Sequence, residues 1–146
     1  MHGVTGRMGL NQHLIGSICA IRAEGGVALS SGETVMPEPI LVGRNADKVR
    51  TLAHAHGLTR WSTDVDAALR DPDDTVFFDA GTTQMRPGLL ERAIDAGKHV
   101  YCEMPIATTL DAALRIARKA EAARHAKGQI RKSTRLNSSH CTPSRM

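Results

Sequence analysis

The sequence predicts an α/β fold in which a doubly wound parallel sheet carries helices on both faces. Short apolar runs, such as residues 40–42 and 75–79, alternate along the chain with stretches of helical periodicity. Most connections between these elements are short, as crossover units require. A glycine-rich turn at residues 3–9 stands directly before the first helical stretch. Together these observations favour one domain built on a single parallel sheet.

The glycine-rich turn is predicted to hold a diphosphate, and it reads Gly3-Val4-Thr5-Gly6-Arg7-Met8-Gly9. Glycines let the backbone approach phosphate oxygens closely, and the unpaired N–H groups at the start of the next helix attract an anion. Taken alone, the motif is equally compatible with a tight surface turn. We expect the strand that leads into the turn to be truncated, because only two residues precede Gly3.

The first half of the chain predicts, in order, a helix, a small hairpin, a buried strand and a second helix. The first helix ends at Gly25-Gly26, and its apolar positions are Leu10, Leu14, Ile18 and Ile21. A small hairpin or an ordered loop around Ser31-Gly32 precedes the wholly apolar run at residues 40–42, which is typical of a buried parallel strand. Asn45 then caps a helix that stops at Gly57 and buries Val49, Leu52 and Ala53.

The second half of the chain predicts three strands and three helices. Residues 60–62, 75–79 and 99–102 are the strands, and the middle one is central to the sheet. Residues 63–66 resemble a capping box that opens a short helix with Thr63 as its cap. The next helix has Pro87 in its first turn, ends at Gly97 and buries Leu89, Leu90, Ala93 and Ile94. Thr108 and Asp111 cap the last helix, whose apolar face is formed by Leu110, Leu114 and Ala117.

Charge and cysteine content exclude several functional classes. The chain of 146 residues has a net charge of +4, but residues 131–146 contain four basic residues and no acidic one. The rest of the chain is therefore neutral, with 15 basic and 15 acidic residues, which argues against nucleic-acid binding. No apolar run is long enough to span a bilayer, so no membrane role is expected. The three cysteines share no metal-ligand spacing, so we expect no metal and a reduced, cytoplasmic setting.

The C-terminal segment is predicted to be foreign to the protein. Residues 131–146 match the translation of a sequencing adapter, in which CGG AAG AGC ACA CGT CTG AAC TCC AGT CAC encodes Arg131 through His140. We therefore predict an incomplete nucleotide-binding domain over residues 1–127 and a non-native tail over residues 128–146. A disordered basic tail is the alternative.

Four segments follow the predicted strands and meet at the carboxyl edge of the sheet, where open parallel sheets bind ligands. They are residues 3–9, 43–45, 80–84 and 101–105. An acidic residue after the second strand would hold the adenine ribose of NAD, whereas Arg44, with Lys48 one turn on, favours the 2′-phosphate of NADP. A small, hydroxyl-rich loop that lets a cofactor pass near the backbone is formed by Gly81, Thr82, Thr83 and Gln84. A solvated Arg44 and a plain loop are the alternatives.

These motifs together resemble the glucose–fructose oxidoreductase/inositol dehydrogenase/rhizopine-catabolism (Gfo/Idh/MocA) family. The resemblance rests on residues 3–9, on Val42-Gly43-Arg44-Asn45 with Lys48, on Gly97-Lys98-His99-Val100 and on Cys102-Glu103-Met104-Pro105. It implies the N-terminal, Rossmann-type NAD(P)-binding domain of an oxidoreductase that transfers a hydride to or from a sugar- or polyol-like small molecule. The implied cofactor-binding residues are Gly3, Val4, Thr5, Gly6, Arg7, Met8, Arg44, Asn45, Gly81, Thr82, Thr83, Gln84, Glu103 and Pro105.

Two departures from the family pattern bear on activity. The family motif is Glu-Lys-Pro, but Met104 stands at the lysine position and can carry neither a charge nor a proton. The C-terminal domain that binds substrate in the family is expected to be absent from this chain. We therefore predict that the fragment retains cofactor recognition and is inactive by itself. Its substrate and any homo-oligomer are left open.

Two other functions remain open from the residues. Gly6-Arg7-Met8-Gly9 also suits a dihydrodipicolinate-reductase-like enzyme, although the segment at residues 102–105 disfavours it. A non-catalytic NAD(P)-binding module is favoured by Met104. The histidines, such as His13, His54 and His56, have no identifiable partner, and we expect them on helix surfaces.

Overall fold

Helices alternate with short strands along residues 1–126, which are the residues described by the computed structural model. The elements, in chain order, are a π-helix over Gly9–Cys19, α1 (Ala20–Ala23), β1 (Val27–Ala28), β2 (Thr34–Val35), β3 (Leu41–Val42), α2 (Ala46–Ala55), β4 (Trp61–Ser62), α3 (Val65–Arg70), β5 (Val76–Asp79), α4 (Arg86–Asp95), β6 (His99–Cys102) and α5 (Leu110–Ala126). Each strand and helix that the sequence predicts is present. The non-native tail predicted from residue 128 lies outside the described residues.

The parallel sheet has the order β4-β3-N-terminus-β5-β6. β3 pairs with β4 and β5 pairs with β6, both in parallel register. His2 joins the two pairs, because it bridges Val42 on one side and Asp79 on the other. The strand order reverses at His2, so the glycine turn that follows lies at the switch point of the sheet. A separate antiparallel hairpin pairs β1 with β2, as predicted.

Met1 and His2 occupy the position of the central strand that the sequence predicts to be truncated. The His2 N–H donates to the Phe78 carbonyl (2.8 Å), and the His2 carbonyl accepts from the Ala80 N–H (3.0 Å). On the other side, the Met1 amino group donates to the Ile40 carbonyl (2.7 Å). Burial lowers the pKa of this amino group to about 6. Two residues of backbone therefore join the two halves of the sheet.

Helices cover both faces of the sheet. Phe77 packs in an apolar cluster with Leu89 and Leu90 of α4. The next residue, Phe78, contacts His13 of the π-helix, with ring centroids 4.7 Å apart. Because successive side chains of a strand point to opposite faces, α4 and the π-helix lie on opposite sides, and the doubly wound prediction is confirmed. Among the helices of residues 1–126, none is both long enough and apolar enough to cross a bilayer.

The first helix differs from the prediction in its hydrogen bonding. Gly9–Cys19 is a π-helix, the helix type defined by hydrogen bonds from an N–H to the carbonyl five residues back, and Ala20–Ala23 continues it as an α-helix. The Ser17 hydroxyl likewise donates to a carbonyl five residues earlier (2.9 Å). Leu14 is fully buried, with Leu10 and Ile18 packed against the same cluster. Their four-residue spacing suits the wider turn, so the predicted apolar face is kept over these positions.

Helix caps agree with the prediction at α2 and differ from it by one residue at α3 and α5. Asn45 caps α2 by accepting a hydrogen bond from the N–H three residues on (2.9 Å). The same bond at α3 is made by Asp64 rather than Thr63 (2.9 Å), and at α5 by Thr109 rather than Thr108 (3.3 Å). When two adjacent residues are both of a type that can cap a helix, residue type alone does not show which of them forms the cap.

The packed face of α5 is not the predicted one. Leu110 and Leu114 are 73% and 42% exposed, and Ala117 is also exposed. Ile116 is buried instead and belongs to the cluster that contains Leu89 of α4. Alanine occurs on every side of this helix and can pack at any of them, so the spacing of two leucines did not determine its orientation. The orientation of α5 is determined by its contact with α4.

Candidate functional site

Three loops come together at the carboxyl ends of the parallel strands. Gly3 has a left-handed conformation (φ +79°), and a methyl group on it would lie 2.3 Å from the Gly81 nitrogen. A methyl group on Gly9 would lie 2.4 Å from the Gly3 carbonyl oxygen. Both positions require glycine, because the glycine turn, the π-helix and the loop after β5 touch through their backbones. The Glu103 N–H donates to the Asp79 carbonyl (2.9 Å), which brings the loop after β6 to the same place.

Most of the predicted residues of the glycine turn face solvent. Thr5, Gly6, Arg7 and Met8 are exposed, whereas Val4 is fully buried in the apolar core. Val4 can therefore contact a ligand through its backbone but not through its side chain. The first N–H groups of a helix lack partners within the helix and suit phosphate oxygens. The Leu10 N–H of this helix already donates to the Gly6 carbonyl (2.8 Å). A diphosphate at this turn stays a prediction.

The segment after β3 lies next to the glycine turn. A methyl group on Gly43 would lie 3.8 Å from Cγ2 of Thr5. Arg44 and Lys48 are exposed, and within residues 1–126 no hydrogen bond or ion pair engages either side chain. The Asn45 side chain is occupied as the cap of α2. Of the two predicted residues here, only Arg44 has a side chain that is not already engaged within residues 1–126.

A buried charge network lies beneath the loops, and the sequence reasoning missed it. Asp79 and Arg86 are 0% and 2% exposed, and Arg86 Nε donates to Asp79 Oδ2 (2.8 Å). Asp79 Oδ1 accepts from the Gly81 N–H (3.0 Å) and lies 2.6 Å from His2 Nδ1. Arg86 Nη2 donates to the Gly81 carbonyl (2.6 Å), and Nη1 donates to the Pro105 carbonyl. One ion pair thus contacts the loops after β5 and β6 and His2, which precedes the glycine turn.

The network keeps Asp79 ionised in the protein interior. Burial by itself would raise the pKa of Asp79, but hydrogen bonds from His2, Arg86 and the Gly81 N–H outweigh burial and hold the pKa below its usual 3.8. The sequence carried one signal for this pair, which is an acidic residue at the end of an otherwise apolar strand. It did not indicate the burial of Arg86, because an arginine in a first helical turn is ordinarily solvated.

The loop after β6 is held from two sides. Glu103 Oε1 pairs with His13 Nε2 of the π-helix, and the Met104–Pro105 peptide bond is cis. The expectation that His13 lies on a helix surface without a partner is therefore wrong. Met104 is 84% exposed, so the position of the family lysine faces solvent. Burial raises the pKa of the Cys102 thiol, which makes it a poor nucleophile at neutral pH.

A cavity of about 750 Å³ lies at the other edge of the sheet. Its lining includes Ile40 and Val76 at the amino ends of strands and extends along the sheet face to His13, Phe78 and Tyr101. Ligands of open parallel sheets bind beyond the carboxyl ends, so a cofactor is expected at the three loops and not in this cavity. In the part of the chain that the structure describes, no group of three or more His, Cys, Asp or Glu side chains could hold a metal ion.

The sequence matches a known protein family over more than half of its length. Residues 39–127 match the family model GFO_IDH_MocA, which is described as an oxidoreductase family with an NAD-binding Rossmann fold. The chain belongs to the Gfo/Idh/MocA oxidoreductase family. The resemblance inferred from the motifs is confirmed, and the dihydrodipicolinate-reductase-like alternative is left without support. The match covers the loops after β5 and β6 and does not include the glycine turn at residues 3–9.

Individual relatives agree with the family assignment. The chain is 49% identical over 118 residues to a D-xylose dehydrogenase of Paenarthrobacter nicotinovorans, a match that covers 81% of this chain and 30% of the relative. It is 32% identical over 94 residues to a 1,5-anhydro-D-fructose reductase of Ensifer adhaerens, covering 64% of this chain and 25% of the relative. The chain therefore spans 30% or less of the length of these relatives.

Solved structures of other oxidoreductases share the fold. A levoglucosan dehydrogenase in complex with NADH and levoglucosan superposes with a TM-score of 0.69 at 20% identity, covering 84% of this chain and 31% of that one. An NAD binding oxidoreductase from Klebsiella pneumoniae superposes with a TM-score of 0.67 at 24% identity, covering 84% of this chain and 30% of that one. At these identities the likeness establishes the Rossmann fold of the domain.

Proposed function

We propose that the chain is the NAD(P)-binding part of an oxidoreductase, which in the whole protein transfers a hydride between nicotinamide and a sugar- or polyol-like substrate. The observation that carries the proposal is the contact of Gly3 with both Gly9 and Gly81, which forms a backbone cradle at the switch point of the sheet. The substrate class follows the names of relatives that act on D-xylose and 1,5-anhydro-D-fructose.

The predicted residues other than Asn45 each have a proposed place along the dinucleotide. The glycine turn holds the diphosphate, and Arg44 holds the 2′-phosphate of NADP. The loop of residues 81–84 and the pair Glu103 and Pro105 border the nicotinamide half. The bound cofactor supplies or accepts the hydride, and this chain binds and orients it. Met104 has no titratable proton, so position 104 does not take a proton from a substrate hydroxyl.

Cofactor binding is the direct test of the proposal. Titration of the purified chain with NADPH and with NADH, followed by nicotinamide fluorescence, is expected to show saturable binding of both, tighter for NADPH. ADP-ribose, which shares the diphosphate, is expected to compete. A folded chain that binds neither nucleotide would contradict the proposal.

The preference for NADP is tested by removing the guanidinium that would hold its extra phosphate. Arg44→Ala is expected to weaken NADPH binding about tenfold and to change NADH binding less than about twofold, since only NADPH has a 2′-phosphate. Arg50→Ala is the control, because Arg50 is an exposed arginine of the neighbouring α2 that pairs with Asp47 (2.8 Å). Equal losses for both nucleotides would remove the role of Arg44.

A non-catalytic NAD(P)-binding module is the second candidate, and Met104 is the observation that favours it. An exposed thioether at the lysine position leaves the cofactor cradle unchanged and removes a charge beside it. The codon at position 104 in the complete gene discriminates the two candidates, because a lysine codon supports the enzyme and a methionine codon supports the module. A cytoplasmic location stays a prediction from the cysteine content, and homo-oligomerisation stays open.

A further inference from the structure

The buried Arg86 side chain joins the loop after β5 to the loop after β6. Its Nη2 donates to the Gly81 carbonyl (2.6 Å) and its Nη1 donates to the Pro105 carbonyl. Its Nε is held by Asp79 (2.8 Å). A single planar group therefore spans the backbones of both loops. Because Arg86 is 2% exposed, water does not compete strongly for these bonds.

The acceptors of the Arg86 hydrogen bonds indicate what this side chain does. A buried ion pair is weak evidence for a role in stability, because the cost of desolvation offsets the attraction. Arg86 directs two donors at loop carbonyls and not at the carboxylate of Asp79. A pair that served only the core would have no need to contact two loops at the ligand-binding edge.

We propose that Arg86 is a positioning residue that fixes the spacing between the Gly81 and Pro105 loops and so shapes the place of the nicotinamide half of the dinucleotide. This inference rests on the proposed cofactor site. In the described part of the chain, Arg86 donates neither to the glycine turn nor to Arg44. Loss of its hydrogen bonds to the two loop carbonyls is therefore expected to weaken the nicotinamide contacts and to spare those of the adenine half.

The variant Arg86→Lys tests the proposal. Lysine keeps a positive charge opposite Asp79 but is a single ammonium group that cannot reproduce the planar fork. We expect NADPH to bind about tenfold more weakly. The affinity for adenosine 2′,5′-bisphosphate, which lacks nicotinamide, is expected to change less than about twofold. Arg92→Lys is the matched control, because Arg92 lies on the same helix and forms an exposed pair with Asp66 (2.6 Å). The control substitution should leave the affinity for both ligands unchanged.

Amide hydrogen exchange of the cofactor-free chain supplies a second readout. Exchange at residues 81–84 and at Glu103 and Met104 is expected to be faster in Arg86→Lys, with unchanged rates at residues 3–9. Unchanged NADPH affinity, equal weakening of both ligands, or unaltered loop exchange would overturn the proposal. If Arg86→Lys does not fold, Arg86→Gln takes its place with the same expectations, because a side-chain amide can donate to Asp79 but cannot donate to both loop carbonyls as well.

The two proposals fail in different ways. An unsubstituted chain that binds no NADPH would overturn the proposed function, and the exchange measurement would still decide whether Arg86 positions the loops. Normal binding by the unsubstituted chain together with normal binding by Arg86→Lys would overturn the role of Arg86 and leave the cofactor site standing.

Discussion

Replacing Gly3 with alanine is expected to destabilise the folded chain by about 3 kcal/mol or more, because backbone strain and steric overlap add. Gly3 has φ +79°, a conformation that costs a residue with a side chain about 1–2 kcal/mol. The added methyl group would lie 2.3 Å from the Gly81 nitrogen, and a backbone atom cannot rotate away. Relief of the overlap would separate the glycine turn from the loop after β5, so NADPH binding is expected to be lost as well.

Gly32→Ala is the matched control for this substitution. Gly32 has φ +85°, but no atom lies within 4 Å of the methyl group that it would receive. Only the strain applies there, so we expect a loss of about 1–2 kcal/mol. Urea unfolding of both variants measures the difference, and titration with NADPH measures binding. Equal destabilisation by the two substitutions would show that the contact between Gly3 and Gly81 contributes nothing.

Asp79→Ala is expected to destabilise the chain by about 3–5 kcal/mol, because it leaves the buried charge of Arg86 without its carboxylate. It also removes the acceptor of the Gly81 N–H. The control is Asp66→Ala, which removes one member of an exposed ion pair with Arg92 and should cost less than about 1 kcal/mol. Similar losses at the two positions, measured by urea unfolding at neutral pH, would contradict the importance given to burial.

The lowered pKa of Asp79 leads us to expect that the stability of the chain depends on pH. The pKa of Asp79 in the folded chain lies below its usual 3.8. A carboxyl group of this kind adds stability above its usual pKa, and the contribution is lost as the pH falls through the folded-state value. The stability difference between the unsubstituted chain and Asp79→Ala should therefore be constant near neutrality and should shrink below about pH 4. Unfolding curves recorded at a series of pH values check this.

The order of strands and helices could be predicted because most of its signals are local. The wholly apolar run at residues 40–42 became the buried strand β3, and Asn45 became the cap of α2. Gly57 and Gly97 have positive φ and follow α2 and α4, as expected of glycines that end helices. The orientation of α5 was not predicted, because it depends on contact with another helix.

The candidate site could be predicted only as far as the positions of its loops. Alternating strands and helices bring the glycine turn and the loops after β5 and β6 to one edge, and the family match agrees with that arrangement. The cofactor contacts of the individual residues stay predictions. The pairing of His13 with Glu103 was not foreseen, because the two residues are 90 positions apart in the chain.

The sequence by itself determined the alternation of elements, the glycine turn and the family of the protein, because these depend on residue types and short spacings. Only the tertiary structure decided that Asp79 and Arg86 are buried together and that one arginine contacts two loops. It also decided that the first helix is a π-helix, which presents His13 to Glu103. The physical reason is that burial and pairing of charges depend on which distant elements pack together, and no local pattern specifies that packing.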